Sequence, residues 1–543
     1  MVGSQRILHP KEPSVSDPHD PKKTFVVPAP PPNVTGALHI GHALTISIQD
    51  TLVRFYRMKG YRNSFRSVAV HPNDERYKHL HGKFVKHPFI QGRKIPIVTD
   101  DIIVDMSFGT VPSRSLLLMI QTITKWEKTR FGIHQHLNDD GTLNENAEVS
   151  NCRAVKSQGM VITPETNERE FFRWMDNIQD WCISRQLWWG HRCPAYFVEI
   201  EGKEQDRSDT SQWVVGRTLE EANERASKLA NGAKFSLSQD EDVLDTWFSS
   251  GLWPFSIMGW PQETNDMKHY YPNSLLETGW DILFFWVARM ILLGVHLTGK
   301  IPFKEVFCHA MVRDAHEKLH KKLLEGNLDE KEVQKASQGQ KKDYPKDILR
   351  VEGYRKFCNK LWNATKFALL KLEGGFQPVQ DSKPSGKESL VEKWILFKLN
   401  EAAKGVSTHL ENRNFMQATT DVYNFWLYEL CDVYIEAIKP ICDPSNPDEA
   451  ARTSAQNTLY TALDEGLKLL HPFMPFVTEE LWQRLPRRIN DQTQTITLAE
   501  FPQDLKERDD KKSADAFDDV FSTVKAIRNM ADSYNVTNNI EGE

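Results

Sequence analysis

The 543-residue chain lacks the features of a secreted, disulfide-bonded or membrane protein. Its seven cysteines are odd in number and none are spaced as Cys-x-x-Cys, which argues against a disulfide framework and a zinc site. Residues 1–23 contain neither an apolar run nor an Arg-rich leader. The longest apolar stretch, 282–297, is short and includes Arg289, which predicts a buried helix rather than a membrane span. We therefore expect a soluble, cytoplasmic protein with no zinc and no membrane partner.

The chain also lacks an excess of positive charge. It has 68 Lys and Arg against 74 Asp and Glu, a formal net charge of −6. Binding to nucleic acid through bulk charge is not indicated, and we expect no DNA partner, although a local basic groove remains compatible with this balance. The length exceeds what one core can hold, which predicts two to four domains. Fifteen Trp favour large buried aromatic clusters or pockets.

The order of local patterns predicts an α/β fold followed by helices. Residues 24–28, TFVVP, indicate a buried strand, and a proline-rich loop and a helix from about His39 to Lys59 follow it. Strand, loop and helix in this order open a nucleotide-binding α/β unit. Short β-rich runs within 66–110 predict a small inserted β domain. From Ile348 onward, apolar residues at helical spacing predict a helical bundle. Examples are Phe357, Leu361, Phe367 and Leu370, and later Leu459, Leu463, Leu467 and Leu470.

One loop is typical of a phosphate site. It reads PPPNVTG over 30–36, and HIGH follows at 39–42. A helix that starts there presents free N–H groups and a positive dipole end to a phosphate, and Gly41 lets the backbone approach a ligand closely. His39 and His42 share a helical face and could donate hydrogen bonds to phosphoryl oxygens. Two structural histidines at a helix start are the alternative.

Three further motifs combine aromatic and charged residues. They are WCISRQLWWGH at 181–191, DVLDTWFSSG at 242–251 and ETGWDILFFW at 277–286. In the last motif, Ile282 and Trp286 are four residues apart on one helical face and could close an aliphatic pocket of valine size. Taken singly, each motif could equally reflect ordinary packing.

In this order, the four motifs resemble those of the valyl-tRNA synthetases, which are class I aminoacyl-tRNA synthetases. Where related isoleucine enzymes have a PPPYANG-like loop, this chain has PPPNVTG, and RQLWWGH and DILFFWVARM are also of the valine type. FCNKLWNATKF at 357–367 and LLHPFMPFVTEELWQRLP at 469–486 are similar to the anticodon-binding bundle of that family. The resemblance covers about 24–110 and 154–500.

The resemblance implies ligation of L-valine to tRNA(Val) with ATP and Mg²⁺, and hydrolytic editing of threonine in the family. It implies ATP binding by Gly41 and by His39 and His42, which would also be the catalytic residues. The implied amino-acid site consists of Pro32, Asn33, Trp189, Asp281, Ile282 and Trp286.

The expected fold class is α/β, with a split class I Rossmann-type catalytic core, a truncated β-rich editing insertion and a C-terminal α-helical anticodon-binding bundle. The expected domains are a disordered tail (1–23), the first part of the core (24–65), an editing remnant (66–153), the second part of the core (154–316), a connector (317–346) and the helical domain (347–543). The connector holds eight Lys and six acidic residues, which is typical of a solvated helix, with a tRNA-binding strip as the alternative.

The chain departs from the family at several points. Arg66 follows Phe65 directly, where the family has an Asp-His-Ala-Gly loop, and the first half of the editing domain is missing, so we expect no intact editing site. Glu317 follows His316, where the family has its Lys-Met-Ser-Lys-Ser loop. Another block is missing after Pro345.

Segment 111–136 matches nothing in the family in its own frame. Codons that encode residues 119–128 can be chosen so that the reading frame that starts one base earlier encodes His-Asp-Pro-Asn-Asp-Tyr-Glu-Met-Gly, an editing motif of the family. Our hypothesis is that the segment is translated out of frame and that the gaps are errors of the gene model. The nucleotide sequence across these codons tests it. Two other readings stay open: a non-catalytic fragment that binds tRNA or a partner through its helices, and a synthetase for another branched-chain amino acid.

Overall fold

The computed structural model describes two compact units. The first comprises Gly3–Gln49 and Tyr61–Val312, and the second comprises Asp50–Gly60 and Arg313–Glu543. The residues that it describes are 24–28, 40–61, 68–70, 84–86, 94–99, 159–176, 178, 181–188, 190–310, 353–372, 375–443 and 445–533. Segment 111–136 and the connector at 317–346 lie outside these residues.

The first unit mixes strands and helices. Its strands are β1 (Val68–Val70), β2 (Phe84–Lys86), β3 (Lys94–Thr99), β4 (Val161–Thr163), β5 (Ser184–Arg185), β6 (Ala195–Ile200), β7 (Trp213–Val215), β8 (Phe235–Gln239), β9 (Val243–Leu244), β10 (Asn273–Gly279) and β11 (Phe303–His309). Its helices are α1 (Ile40–Met58), α2 (Glu165–Met175), α3 (Leu219–Ala230), α4 (Thr246–Gly251), α5 (Trp253–Ser256), α6 (Asn265–Tyr270) and α7 (Ala288–Thr298). From Asp50 onward, helix α1 belongs to the second unit. The predicted domains instead place the whole helix in the first part of the core, residues 24–65.

A parallel sheet in the order β10–β11–β4 carries the candidate site of this unit. Segment 24–28 lies beside β10, because the carbonyl oxygen of Val26 accepts hydrogen bonds from the N–H groups of Ser274 and Leu275 at 3.0 and 3.1 Å. The apolar run predicted to be a buried strand therefore extends along the edge of this sheet. Leu275 and Val306 are fully buried, as expected for parallel strands covered on both faces.

Helices α2 and α7 pack against this sheet. Ile162 of β4, Leu276 of β10 and Val306 of β11 share one buried cluster with Phe171 of α2 and Ile291 of α7. Complete burial of an aliphatic or aromatic side chain of this size contributes about 1.5–3 kcal/mol. The cluster thus fixes α7 relative to the end of β10.

The chain between β10 and α7 changes its winding twice. A 3₁₀ turn at Trp280–Ile282 is followed by a π turn at Leu283–Val287 and then by α7. Residues 280–298 are long and apolar enough to cross a membrane, with a mean hydropathy of 1.6, but half of that stretch is buried inside the structure. Met290 and Ile291 are completely covered, which is the pattern of a core helix.

An antiparallel sheet follows in the same unit, with β6 between β7 and β8. Helix α3 covers it with Ala222, Ala226 and Ala230, spaced four residues apart and buried. A Cβ at Gly216 would lie 2.6 Å from the backbone nitrogen of Ala222. Only glycine lets the end of β7 approach α3 so closely.

The predicted inserted β region is partly described. Strand β3 pairs in parallel with β1 and antiparallel with β2. Two of the apolar runs found in the sequence, at 68–70 and 95–98, are strands, and β2 was not predicted. A third run, at 102–104, lies outside the described residues.

The second unit is a helical bundle, as the apolar spacing predicted. Its elements are α8 (353–371), α9 (Leu390–Glu411), α10 (Phe415–Asn424), a π-helical segment (Phe425–Tyr434), α11 (Ile435–Ile438), α12 (Glu449–Leu470), α13 (Pro475–Trp482) and α14 (Lys511–Ser533). Two buried indoles fix neighbouring helices. The Nε1–H of Trp426 donates to the carbonyl oxygen of Gly466 at 3.0 Å, and that of Trp482 donates to Asp464 Oδ1 at 2.7 Å.

Candidate active site

The candidate site lies where β10 and β11 end, because ligands of open α/β sheets bind at the carboxyl ends of the strands. Glu277, near the end of β10, is only 1% exposed. Its Oε2 accepts a hydrogen bond from Gln49 Nε2 of α1 at 2.9 Å, and its Oε1 bonds to Nδ1 of His309, at the end of β11. A buried carboxylate, an amide and an imidazole therefore form one network at this edge.

Sequence reasoning did not select Glu277, Gln49 or His309 as site residues. The available signal was modest: Glu277 is the first residue of ETGWD and follows an apolar run, and His309 likewise ends one. A polar residue at the carboxyl end of a predicted parallel strand is a candidate for this edge. Gln49 gave no signal, since an amide in the middle of an amphipathic helix is ordinary.

The residues after β10 provide a wall of fixed orientation. Trp286 is 5% exposed, and its Nε1–H donates to the carbonyl oxygen of Ser250 in α4 at 3.0 Å. Ile282 is half-buried and packs on the same core cluster, whereas Asp281 is exposed. An indole that is held through its polar edge presents its apolar face in one place.

The predicted phosphate loop is described only from its helix onward. Helix α1 begins at Ile40, so Gly41 and His42 lie in its first turn, whose N–H groups have no partner within the helix. The side chain of His42 lies outside what the structure describes. The same holds for four other predicted site residues: Pro32, Asn33, His39 and Trp189.

One buried carboxylate joins two of the sequence motifs and also faces Arg289, which lies three residues after a third motif ends. Asp245 Oδ2 accepts hydrogen bonds from Trp181 Nε1 at 3.1 Å and from Arg185 Nη2, and Arg289 Nη1 lies 3.7 Å from the same atom. Asp245 Oδ1 accepts from the N–H of Trp247 at 3.0 Å and so caps α4. The sequence motif DVLDTW contains two acids, and it does not indicate which of them is the centre of this hydrogen-bond network.

The cluster around Asp245 contains more positive than negative charge. Arg289 is stacked on the ring of Trp181, with its Cζ 3.7 Å from the ring centroid. Burial lowers the pKa of Arg289, nearby Asp245 opposes that shift, and nearby Arg185 adds to it. Arginine side chains are cations at neutral pH, so two cations face one carboxylate.

No metal centre is evident in the parts of the chain that the structure describes. In these parts, no three His, Cys, Asp or Glu side chains are grouped so that they could hold a metal ion. The features at hand are a helix N-terminus, a buried acid–imidazole pair and an apolar wall. They suit a nucleotide with a small apolar ligand.

The described residues form an α/β unit and a helical unit, and comparison with known proteins identifies the family. Residues 12–70 and 145–433 match the family model described as tRNA synthetases class I (I, L, M and V). Residues 392–543 match the one described as anticodon-binding domain of tRNA ligase. The chain belongs to the class I tRNA synthetases, which confirms the predicted fold class.

Individual relatives are named for valine. The chain is 46% identical to valine–tRNA ligase of Schizosaccharomyces pombe, over 86% of this chain and 58% of the relative. It is 44% identical to mitochondrial valine–tRNA ligase of Saccharomyces cerevisiae (87% and 52%) and 40% identical to valine–tRNA ligase of Homo sapiens (87% and 46%). The chain thus spans about half the length of the curated relatives that it matches.

Among solved structures, the chain is similar to a methionyl-tRNA synthetase of Mycobacterium tuberculosis in complex with methionyl-adenylate. The TM-score is 0.52 at 13% identity, and the similarity covers 84% of this chain and 93% of that one. At this identity, the likeness supports the shared fold alone.

Proposed function

We propose that the chain is a valine–tRNA ligase, which activates L-valine with ATP and transfers it to tRNA(Val) in the cytoplasm. The observation that carries this proposal is the buried indole of Trp286, held at the carboxyl end of the parallel sheet after Asp281 and Ile282. The relatives named for valine give the same amino acid. A wall of this kind suits a short, branched, apolar side chain.

In the proposed reaction, the carboxylate of valine attacks the α-phosphate of ATP and pyrophosphate leaves. The terminal ribose hydroxyl of the tRNA then attacks the valyl carbonyl, and AMP leaves. ATP would enter with Mg²⁺, its phosphates facing the first turn of α1 at Gly41, with His39 and His42 as donors. Catalysis then rests on positioning and on stabilisation of the charge that develops on the phosphate.

Selection of valine would rest on six residues: Pro32, Asn33, Trp189, Asp281, Ile282 and Trp286. Such a pocket rejects threonine by only about a hundredfold, because a hydroxyl replaces a methyl group of similar size. The family hydrolyses the mischarged product at a separate site in its editing domain, and the first half of that domain is missing from this sequence. We therefore expect editing to be lost.

The test is valine-dependent exchange of pyrophosphate into ATP by the purified chain. Trp286→Phe should lower kcat/KM for valine at least tenfold, because it removes part of the apolar wall and the hydrogen bond from the indole to Ser250. Trp213→Phe is the matched control, because its indole also donates to a backbone carbonyl, that of Arg207, at 3.0 Å but in the antiparallel sheet. Equal effects of the two substitutions would contradict this site, and a preference for isoleucine in competition would favour another branched-chain synthetase.

A second function is favoured by one feature of the sequence. After residues 312–316 the chain continues with EKLHKK, and not with the lysine loop that neutralises pyrophosphate in the family. The alternative is a non-catalytic fragment that binds tRNA or a synthetase partner through residues 347–500. Retained binding of tRNA together with no exchange would support the fragment, and exchange at rates typical of synthetases would exclude it.

A further inference from the structure

The place of Trp286 depends on a short helix from a different motif. Its Nε1–H donates to the carbonyl oxygen of Ser250, which lies in α4. Helix α4 has only six residues, and a helix this short has little stability of its own. Whatever fixes α4 therefore also fixes the indole.

Asp245 fixes the start of α4. Its Oδ1 accepts the hydrogen bond from Trp247 N–H that caps the helix, and its Oδ2 is held by Trp181 and Arg185. The residue is 5% exposed, so these bonds are made away from water, where the loss of a partner is costly. The cap is thus anchored to a third part of the chain.

Asp245 also reaches the element that carries Trp286. Arg289 lies three residues after Trp286, at the start of α7, and its Nη1 is 3.7 Å from Asp245 Oδ2. The carboxylate of Asp245 therefore has a contact on each side of the Ser250–Trp286 hydrogen bond. It caps α4, which contains the acceptor, and it faces Arg289 in α7, the helix that follows the donor.

The two helices are in direct contact next to this bond. A Cβ at Gly251 would lie 2.7 Å from Leu293 Cδ1 and 3.7 Å from the backbone carbon of Arg289. A methyl group at residue 251 would have to displace the end of the Leu293 side chain, so α4 and α7 are in close contact at this point. Gly251→Ala therefore perturbs this contact next to the Ser250–Trp286 hydrogen bond.

We propose that Asp245 is a positioning residue that sets the place of Trp286 and, through it, the size of the amino acid that the pocket accepts. The part that concerns amino-acid size rests on the proposed function. The residue itself touches no reacting atom. Its loss should widen the pocket and reduce the preference for valine over isoleucine, while contacts to the nucleotide are kept.

The experiment compares Asp245→Asn, Gly251→Ala and the control Asp242→Asn, which makes the same change three residues earlier. Asp242 bonds to the side chain of Gln186 and not to α4. Binding of valyl- and isoleucyl-sulfamoyl-adenosine to the full chain is measured by calorimetry. One extra methylene group should cost the wild-type chain at least about tenfold in affinity. We expect this ratio to fall below about threefold in Asp245→Asn, to fall less in Gly251→Ala, where the end of the Leu293 side chain can move, and to be unchanged in Asp242→Asn.

A second measurement needs no ligand. In the chain labelled with 5-fluorotryptophan, the ¹⁹F resonance of residue 286 is assigned by its loss in Trp286→Phe. It should shift or broaden in Asp245→Asn and in Gly251→Ala, and stay in place in Asp242→Asn. If wild type binds neither analogue, the proposed function fails, and the resonance still decides whether Asp245 positions the indole. An unmoved resonance in Asp245→Asn, or an unchanged affinity ratio in that variant, would overturn the proposal. If Asp245→Asn does not fold, Asp245→Glu, which keeps the charge and moves the carboxylate by one methylene group, takes its place in both measurements.

Discussion

Arg508 and Glu465 form a buried ion pair in the helical unit, and removal of one partner should be costly. The two groups are joined by two hydrogen bonds of 2.6 and 2.7 Å, and Arg508 Nη2 also donates to the carbonyl oxygen of Ser382 at 2.7 Å. The side chain of Arg508 is completely buried, and that of Glu465 is 10% exposed. Arg508→Met leaves the carboxylate in this site without its counter-ion.

The expected loss is about 3–5 kcal/mol in the free energy of unfolding, because an uncompensated buried charge remains. Arg508→Met combined with Glu465→Leu should cost clearly less than the single change, since no charge is then buried. The matched control is Lys360→Met, which removes the partner of Asp432 in a more exposed pair of 2.6 Å in the same unit. That change should cost less than about 1 kcal/mol.

The assay is urea unfolding followed by far-ultraviolet circular dichroism, which reports mainly the helices. Midpoints are converted to free energies with a common slope, and the variants form a double-mutant cycle. Should Arg508→Met cost no more than Lys360→Met, the pair would not be buried in solution as described. Equal losses for the single and the double variant would refute the argument from the unpaired charge.

Three further predictions concern stability. Burial, with a smaller effect from Arg54, lowers the pKa of His471 to about 3. The unfolded chain binds this proton near pH 6.5, so the contribution of His471 to the free energy of unfolding is complete well above that pH and is lower by about 2 kcal/mol at pH 5. Urea titrations well above pH 6.5 and at pH 5 should show that the free energy of unfolding depends less on pH in His471→Gln. Gly216→Ala should lower the melting temperature, because the new methyl group meets backbone. Gly405→Ala should leave it unchanged or raise it, because the methyl group meets only the movable carboxylate of Asp421, 2.5 Å away, and alanine favours the helix by about 1 kcal/mol; a lower melting temperature there would contradict this.

Local patterns predicted the elements better than they predicted which side chains are covered. The spacing of Leu459 and Leu463 predicted a buried helix face, and both are fully buried. In α8 the same reasoning placed Leu370 on the inner face, but it is 56% exposed. The small residue Ala368, which no hydrophobic pattern highlights, is completely covered within the buried cluster of the bundle.

The centre of the site could not be predicted, because its bonds join distant parts of the chain. Asp245 is bonded to Trp181, 64 residues away, and Glu277 is bonded to Gln49, 228 residues away. Composition and periodicity report neighbours within one element and contain no information about such pairs. The four motifs could be found and ordered, but only the fold shows that two of them, together with Arg289 just after a third, meet at one carboxylate.

The π turn at Leu283–Val287 has a consequence for how this segment tolerates change. A π turn contains one residue more than the α turn it replaces, so it is equivalent to an insertion. Deletion of Phe284 would restore regular winding, and since the α turn sweeps about the same rotation with one residue fewer, the flanking residues would keep their faces. Trp286 and Arg289 would keep their spacing, and the 3₁₀ turn with Asp281 and Ile282 would keep its orientation. The loss of one residue is therefore absorbed at this turn, whereas the same deletion inside the regular helix α7 would rotate its two halves by about 100° relative to each other.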